Sequence, residues 1–313
     1  MTLLYTNPQF QQHITGAHPE HPRRLAAVET LLDESGLRGR CGQPQWQPAT
    51  AAEIGRVHDP NYIEQVEQYA ADGGGRIEAD TVLSERSFEV ARLAVGAVCD
   101  AVRRVVAGED HTALCLIRPP GHHARPRSAM GFCLFDNIAI GAKAALEEHQ
   151  LDRVLIVDWD VHHGNGTQEI VWEDGRVGFL SIHRWPFYPG TGDSNETGSG
   201  PGLGMIANVP VQFGTPLSEY HDCLERALTD LAAKVRPQLV LISAGFDAHR
   251  QDPIGSLELE VEDFGRLTQT VMAVARDHAG GRVVSVLEGG YNPQRLAESV
   301  GLHLECLLEA RTS

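Results

Sequence analysis

Apolar residues along this chain follow two alternating patterns. In six places they form short continuous runs rich in β-branched residues, at 112–117, 154–157, 178–182, 206–211, 239–243 and 283–287. Such runs predict strands buried on both faces of a parallel sheet. Between and after them the apolar positions take helical spacing, at 138–149, 217–235, 261–278 and 293–308. The last helix has Pro293 at its start, where a helix tolerates proline. Three more helices are predicted ahead of the first strand. Residues 22–37 carry Leu25, Val28, Leu31 and Leu32 on one face and stop at Gly36 and Gly39. Residues 60–71 stop at Asp72 and the glycines 73–75, and the alanine- and valine-rich 84–106 ends before Gly108. Strands alternating with helices argue for an α/β fold with a parallel sheet. No repeat, low-complexity tract or long linker interrupts the pattern, so one domain over residues 1–313 is expected.

Composition narrows the functional classes. The formal net charge of -16 argues against a nucleic-acid surface and suits cationic partners, lysine-rich peptides or polyamines, as well as plain solubility. The six cysteines form no CxxC pair, and Cys99, Cys115 and Cys133 sit among apolar residues. Free thiols in a reducing compartment are expected. The opening MTLLYTNPQF has no basic region followed by an apolar core, and no apolar run reaches the ~20 residues that span a bilayer. The expectation is a cytoplasmic protein with no membrane partner.

The chemistry lies where the strands stop. The run 154–157 gives way to Asp158, Asp160, His162 and His163, then Gly164, Asn165 and Gly166. In open α/β sheets ligands sit at the carboxyl ends of strands. Asp158, Asp160 and His162 alternate, so an extended chain points them to one face. Carboxylate and imidazole at that spacing suit a divalent transition metal, zinc first. Three other strand ends release RPPGHH, AGFDAHRQDP and EGGY, and by the carboxyl-end rule all four are expected to converge on one sheet edge. Asp247 offers a third ligand, His122 and His123 a base and an acid, and Tyr291 a hydroxyl for an oxyanion. Plainer readings stay open at this point: Asp247 as a cap, the two histidines as a solvated loop, Tyr291 as a packing aromatic. His58, His111, His149 and His278 read as ordinary surface or helix-end histidines.

With these residues in hand the chain resembles the histone deacetylase family, in its class II branch and the bacterial histone-deacetylase-like amidohydrolases. RPPGHHA, GFCLFDN, DWDVHHGNGTQ, SIHR, FYPGTGD, SAGFDAH, DPIG and EGGY follow in the family's order, and the resemblance runs from about His18 to Leu296. It implies an arginase/deacetylase-like α/β fold, a parallel eight-stranded sheet flanked by helices, forming one zinc-dependent deacetylase domain. It implies hydrolysis of N-acyl amides, with one zinc ion per chain bound by Asp160, His162 and Asp247. His122 and His123 become the tandem imidazoles, oriented by Asp158 and Asn165, and Tyr291 the oxyanion donor. Gly131, Phe132 and Tyr188 line an acyl-lysine channel, and Arg24 lies below the catalytic floor. A structural potassium ion is expected at Asp158 and backbone carbonyls near Ser181. The second metal set of the arginase relatives is absent, which argues against a ureohydrolase.

Substrate choice rests on Ile254 in DPIG, where polyamine-directed class II relatives carry glutamate. An apolar rim suits an acyl-lysine protein or peptide, or another small N-acyl amine, better than a distant ammonium. An acetylpolyamine amidohydrolase is the alternative, and an inactive acyl-lysine-binding module the third reading. A homo-oligomer is compatible with all three.

Overall fold

The apolar runs become regular elements in the computed structural model, which describes residues 1–309. The chain opens with β1 (Leu3–Tyr5), then α1 (Arg23–Glu34), the single turn α2 (Ala51–Ile54) and α3 (Pro60–Ala71). A hairpin of β2 (Gly74–Glu78) and β3 (Thr81–Ser84) leads into α4 (Ser87–Val106). Then follow β4 (Thr112–Cys115), α5 (Asn137–Glu147), β5 (Val154–Asp158), α6 (Asn165–Val171), β6 (Val177–Arg184) and β7 (Ile206–Val211). The chain ends through α7 (Leu217–Val235), β8 (Val240–Ala244), α8 (Val261–Ala279), β9 (Val283–Leu287) and α9 (Pro293–Glu309). None of the described helices is long and apolar enough to cross a membrane.

Every pairing in the main sheet is parallel, in the order β1-β4-β9-β8-β5-β6-β7. Every residue of β4, β5, β8 and β9 is buried, because helices cover both faces. That order puts a switch point beside β5. After β5 the chain steps outward to β6 and β7, then returns to β8 on the other side of β5. The connections leaving the carboxyl ends of β5 and β8 therefore run in opposite directions, β5 toward β6 and β8 toward β9, which opens a crevice there, the usual ligand position in such sheets.

The sheet has seven strands among the described residues, not the eight that the resemblance implies. The outer edge of β1 shows why. Leu3 bridges Gly42, with Leu4 N–H donating to the Gly42 carbonyl at 2.8 Å. Pro44 and Pro48 follow, and each lacks the N–H that a ladder needs. The bridge does not grow into a strand. The two further strands, β2 and β3, pair with each other instead. The expected helix from residue 84 begins at Ser87, because Ser84 closes that hairpin and its N–H donates to Ser87 Oγ at 2.7 Å.

Candidate active site

Local hydrogen bonds shape the loop after β5. Asp158 Oδ1 accepts from Asp160 N–H at 3.0 Å, and Asp160 Oδ1 accepts from His162 N–H at 2.9 Å. These are two successive aspartate turns, each bonding the backbone two residues on. Asp247, three residues past β8, crosses to the same loop: its Oδ1 accepts from Val161 N–H at 2.9 Å. Gly289 lets the third loop approach. Its N–H donates to Asp160 Oδ2 at 2.8 Å, and a Cβ there would stand 2.2 Å from Asp247 Oδ2.

Asp160, His162 and Asp247 are thus brought together, all buried, with one ligand atom of each within 4.8 Å of the others. His162 Nδ1 lies 3.0 Å from Asp160 Oδ1 and 3.2 Å from Asp247 Oδ2. Ligands about 2.1 Å from a tetrahedral zinc stand roughly 3.4 Å apart, which this cluster approximates. Asp247 Oδ2 is buried and has no well-formed hydrogen bond. Burial and the Asp160 charge push the Asp247 carboxyl up toward its neutral form. The two carboxylates overcome burial and raise His162 to about 9. Two carboxylates and an imidazole crowded together in the interior, one oxygen without a well-formed hydrogen bond, make an N/O donor set that fits a divalent cation.

The RPPGHH loop places two imidazoles beside this cluster, with ring centroids 4.0 Å apart. His122 Nδ1–H donates to Asp158 Oδ2 at 2.9 Å, and His123 Nδ1–H donates to Asn165 Oδ1 at 2.7 Å. Their environments push them in opposite directions. His122 is raised well above the ordinary range, because Asp158 and Asp160 outweigh its burial. His123 is held well below it by burial and by the charges of His122 and His162. The two environments favour opposite protonation states, the arrangement expected of an acid and a base working as a pair.

Tyr291 is 8% exposed, with its ring edge-on to Phe132 at 5.7 Å. Burial and the Asp247 charge raise its phenol far above the usual value, so the hydroxyl stays a proton donor. Phe132 also meets the His18 ring at 4.3 Å, and Tyr188 stands edge-on to His123 at 5.3 Å and to His162 at 5.9 Å. Gly131 is required by close approach: at φ 55°, a Cβ would fall 2.2 Å from His123 Cδ2. The β2–β3 hairpin holds this wall through Asp80, which accepts from Gly131 N–H at 3.0 Å, and Thr81, which accepts from Phe132 N–H at 3.1 Å. Ile254 sits on the turn closed by Asp252, which accepts from Ile254 N–H at 2.9 Å.

Some residues that build the site were not singled out by the sequence reading. Asp252 also accepts from Tyr291 N–H at 2.6 Å, tying DPIG to EGGY. Glu288 is wholly buried and accepts from Gly121 N–H at 2.7 Å, which ties EGGY to the histidine loop. Burial raises its carboxyl to about 8. Beneath them lies Arg24, which the resemblance does name: its Nε donates to the Gly290 carbonyl at 2.6 Å, and its guanidinium lies 5.0 Å from the Tyr291 ring centroid. His58 needs correction as well: it is 2% exposed, not a surface histidine. Its Nε2 accepts from Asp136 N–H at 2.9 Å, and burial lowers it to about 4. The acids of EGGY and DPIG were legible as motif members, but their backbone partners lie far away in sequence.

Residues 18–307 match the histone deacetylase domain model. The chain belongs to the histone deacetylase family. A histone deacetylase-like amidohydrolase from Pseudomonas aeruginosa is 38% identical over 90% of this chain and 74% of its own length. The human polyamine deacetylase HDAC10 is 40% identical over 92% of this chain, which spans 44% of that protein. A probable deacetylase from Archaeoglobus fulgidus is 39% identical, covering 93% and 81% of the two chains. The crystal structure of the HDA15 HD domain superposes with a TM-score of 0.92 at 35% identity, covering 100% of this chain and 89% of that one. As a histone deacetylase family member the protein is a hydrolase acting on amides.

Proposed function

We propose that residues 1–313 act as one zinc-dependent domain that removes the acyl group from Nε-acyl-lysine in proteins or peptides. The observation that carries this is the juxtaposition of the Asp160, His162 and Asp247 donor set with two histidines of opposed basicity. These three residues would hold one zinc ion per chain, which would supply Lewis acidity toward the amide carbonyl and lower the pKa of water. His123, neutral and oriented by Asn165, takes the proton of the attacking water. His122, kept charged by Asp158, returns a proton to the leaving amine, which leaves poorly without it. Tyr291 donates its hydroxyl to the developing oxyanion. Gly131, Phe132 and Tyr188 flank the lysine stem. A structural potassium ion held by Asp158 and backbone carbonyls near Ser181, its register partner on β6, is part of the same reading. Six unpaired cysteines, five of them buried, support the cytoplasm as the compartment.

Tyr291→Phe is expected to retain zinc and substrate binding while kcat falls about 10²–10³-fold, the usual loss of one oxyanion donor. An unchanged kcat assigns the oxyanion to another group.

Ile254 favours lysine over a polyamine, because an apolar side chain offers a distant ammonium no partner. Acetylpolyamine hydrolysis is the second reading. It is supported by the relative named polyamine deacetylase and by Glu78 and Asp80, whose charges reach the Tyr188 phenol. A panel of acyl-lysine peptides against acetylputrescine and acetylspermidine decides between them. The acyl-lysine peptide is expected to have the higher kcat/KM. A tenfold preference for a polyamine overturns that assignment, and no turnover of any amide leaves the binding module.

A further inference from the structure

Arg184, the last residue of β6, stands at the outer side of the site with its cation on aromatic rings. Its guanidinium carbon lies 4.3 Å from the Phe187 ring centroid and 4.8 Å from that of Phe213. Its Nη1 donates to the Gly255 carbonyl at 3.1 Å, and its backbone N–H donates to the Val161 carbonyl at 2.9 Å. Phe187 in turn stacks on the His162 ring, with centroids 5.2 Å apart and planes 16° from parallel. Four planar groups thus follow one another: Phe213, Arg184, Phe187 and His162.

The chain carries 42 acidic side chains against 26 lysines and arginines, yet among the described residues no acid pairs with Arg184. Its contacts use the flat faces and one edge of the guanidinium. That is chemistry an arginine supplies and a lysine does not, since an ammonium is a compact, strongly hydrated point charge. The backbone bond to Val161 fixes the start of the stack one residue from His162. The Gly255 bond fixes it to the loop whose Asp252 holds Tyr291.

We propose that Arg184 is a positioning residue for His162: it clamps Phe187, and the clamped ring fixes the plane of the imidazole within the metal donor set. The inference rests on the reading of Asp160, His162 and Asp247 as zinc ligands. Fixing a ligand's orientation before the ion arrives raises affinity, and groups that orient metal ligands typically contribute 10- to 100-fold.

The test measures zinc affinity by competition with a chromogenic chelator, with kcat and KM alongside, on the full chain. Arg184→Lys keeps the charge and a donor for Gly255 but loses the plane. Phe187→Leu removes the ring that meets His162. Each is expected to weaken zinc binding about tenfold and to lower kcat at subsaturating zinc, with KM little changed. The double variant is expected to lose no more than either single one, because the two residues act in series. Phe213 is 55% exposed, so Phe213→Leu tests the outer end of the stack without endangering folding. It is expected to weaken zinc binding two- to threefold, a fraction of the effect of removing the inner ring. Wild-type affinity in both Arg184→Lys and Phe187→Leu overturns the proposal, as does full additivity in the double variant. A wild-type chain without stoichiometric zinc overturns instead the ligand reading on which it rests.

Discussion

Asp247→Ala is expected to lose its zinc and, with it, nearly all turnover, on the order of 10³-fold or more in kcat/KM. The carboxylate has two separable tasks. Oδ1 accepts from Val161 N–H at 2.9 Å and so holds the loop carrying Asp160 and His162. Oδ2 is buried without a well-formed hydrogen bond, beside a second carboxylate. Leaving a buried acceptor unsatisfied is costly unless something else meets it, and a cation is what such an oxygen lacks. Alanine removes both tasks. Asp247→Asn separates them, because the amide oxygen can still accept from Val161 while the charge is gone. Both variants are expected to bind less than a tenth of the wild-type zinc, since two ligands hold an ion far less well than three. Metal content and kcat/KM measured on the same preparations check this. Full occupancy in Asp247→Ala removes Asp247 from the ligand set.

The parts of this molecule that were legible in the sequence are those where one physical demand dominates a whole segment. VLIVD reads as a doubly buried strand because every residue of β5 is covered, and the expected end at residue 157 misses only Asp158. The polar Asp158 still pairs with Ser181 and Ser243 through its backbone, which a side-chain pattern does not reveal. Beyond β5 the alternation of Asp158, Asp160 and His162 predicts an extended chain with one polar face, but two aspartate turns bend the loop, so Asp160 and His162 meet Asp247 while Asp158 turns to His122. Short elements were lost. β1 has three residues, too few for a period, and the glycines at 73–75 read as a helix stop although Gly74 opens a strand. α6 begins with Asn165 and Gly166, residue types of low helix propensity that mask a helix start. The imidazoles of His122 and His123 were recognisable as chemistry, whereas Glu288 and Asp252 act on backbone N–H groups more than 30 residues away, and nothing local marks such partners.

Glu20 belongs to that second group, and its removal is the largest stability effect expected outside the Asp160, His162 and Asp247 cluster. Its carboxylate is wholly buried between two wholly buried arginines. Arg118 meets it with two guanidinium nitrogens, one at 2.6 Å from Oε2, and Arg24 Nη1 lies 3.0 Å from Oε1. The two arginines then reach different loops. Arg118 opens RPPGHH, while Arg24 bonds the carbonyls of Glu288 and Gly290 in EGGY. One carboxylate therefore joins the loop of the two histidines to the loop of Tyr291. Glu20→Ala leaves two guanidinium groups buried without their counter-ion, a change that costs about 3–5 kcal/mol. Glu20→Gln keeps the shape but loses the charge, and it is expected to fall between alanine and wild type. Burial alone would raise this carboxyl, but Arg118, His13 and Arg24 hold it well below the ordinary range. The stabilisation is therefore complete above the unfolded-state value of about 4.3 and is lost only as the pH falls further. Urea unfolding at pH 7 should show the full deficit in Glu20→Ala. In Glu20→Gln the gap to wild type should narrow as the pH drops below 4. A loss under 1 kcal/mol in the alanine variant would mean that the arginines are held by their carbonyl partners and that Glu20 does not join the two loops.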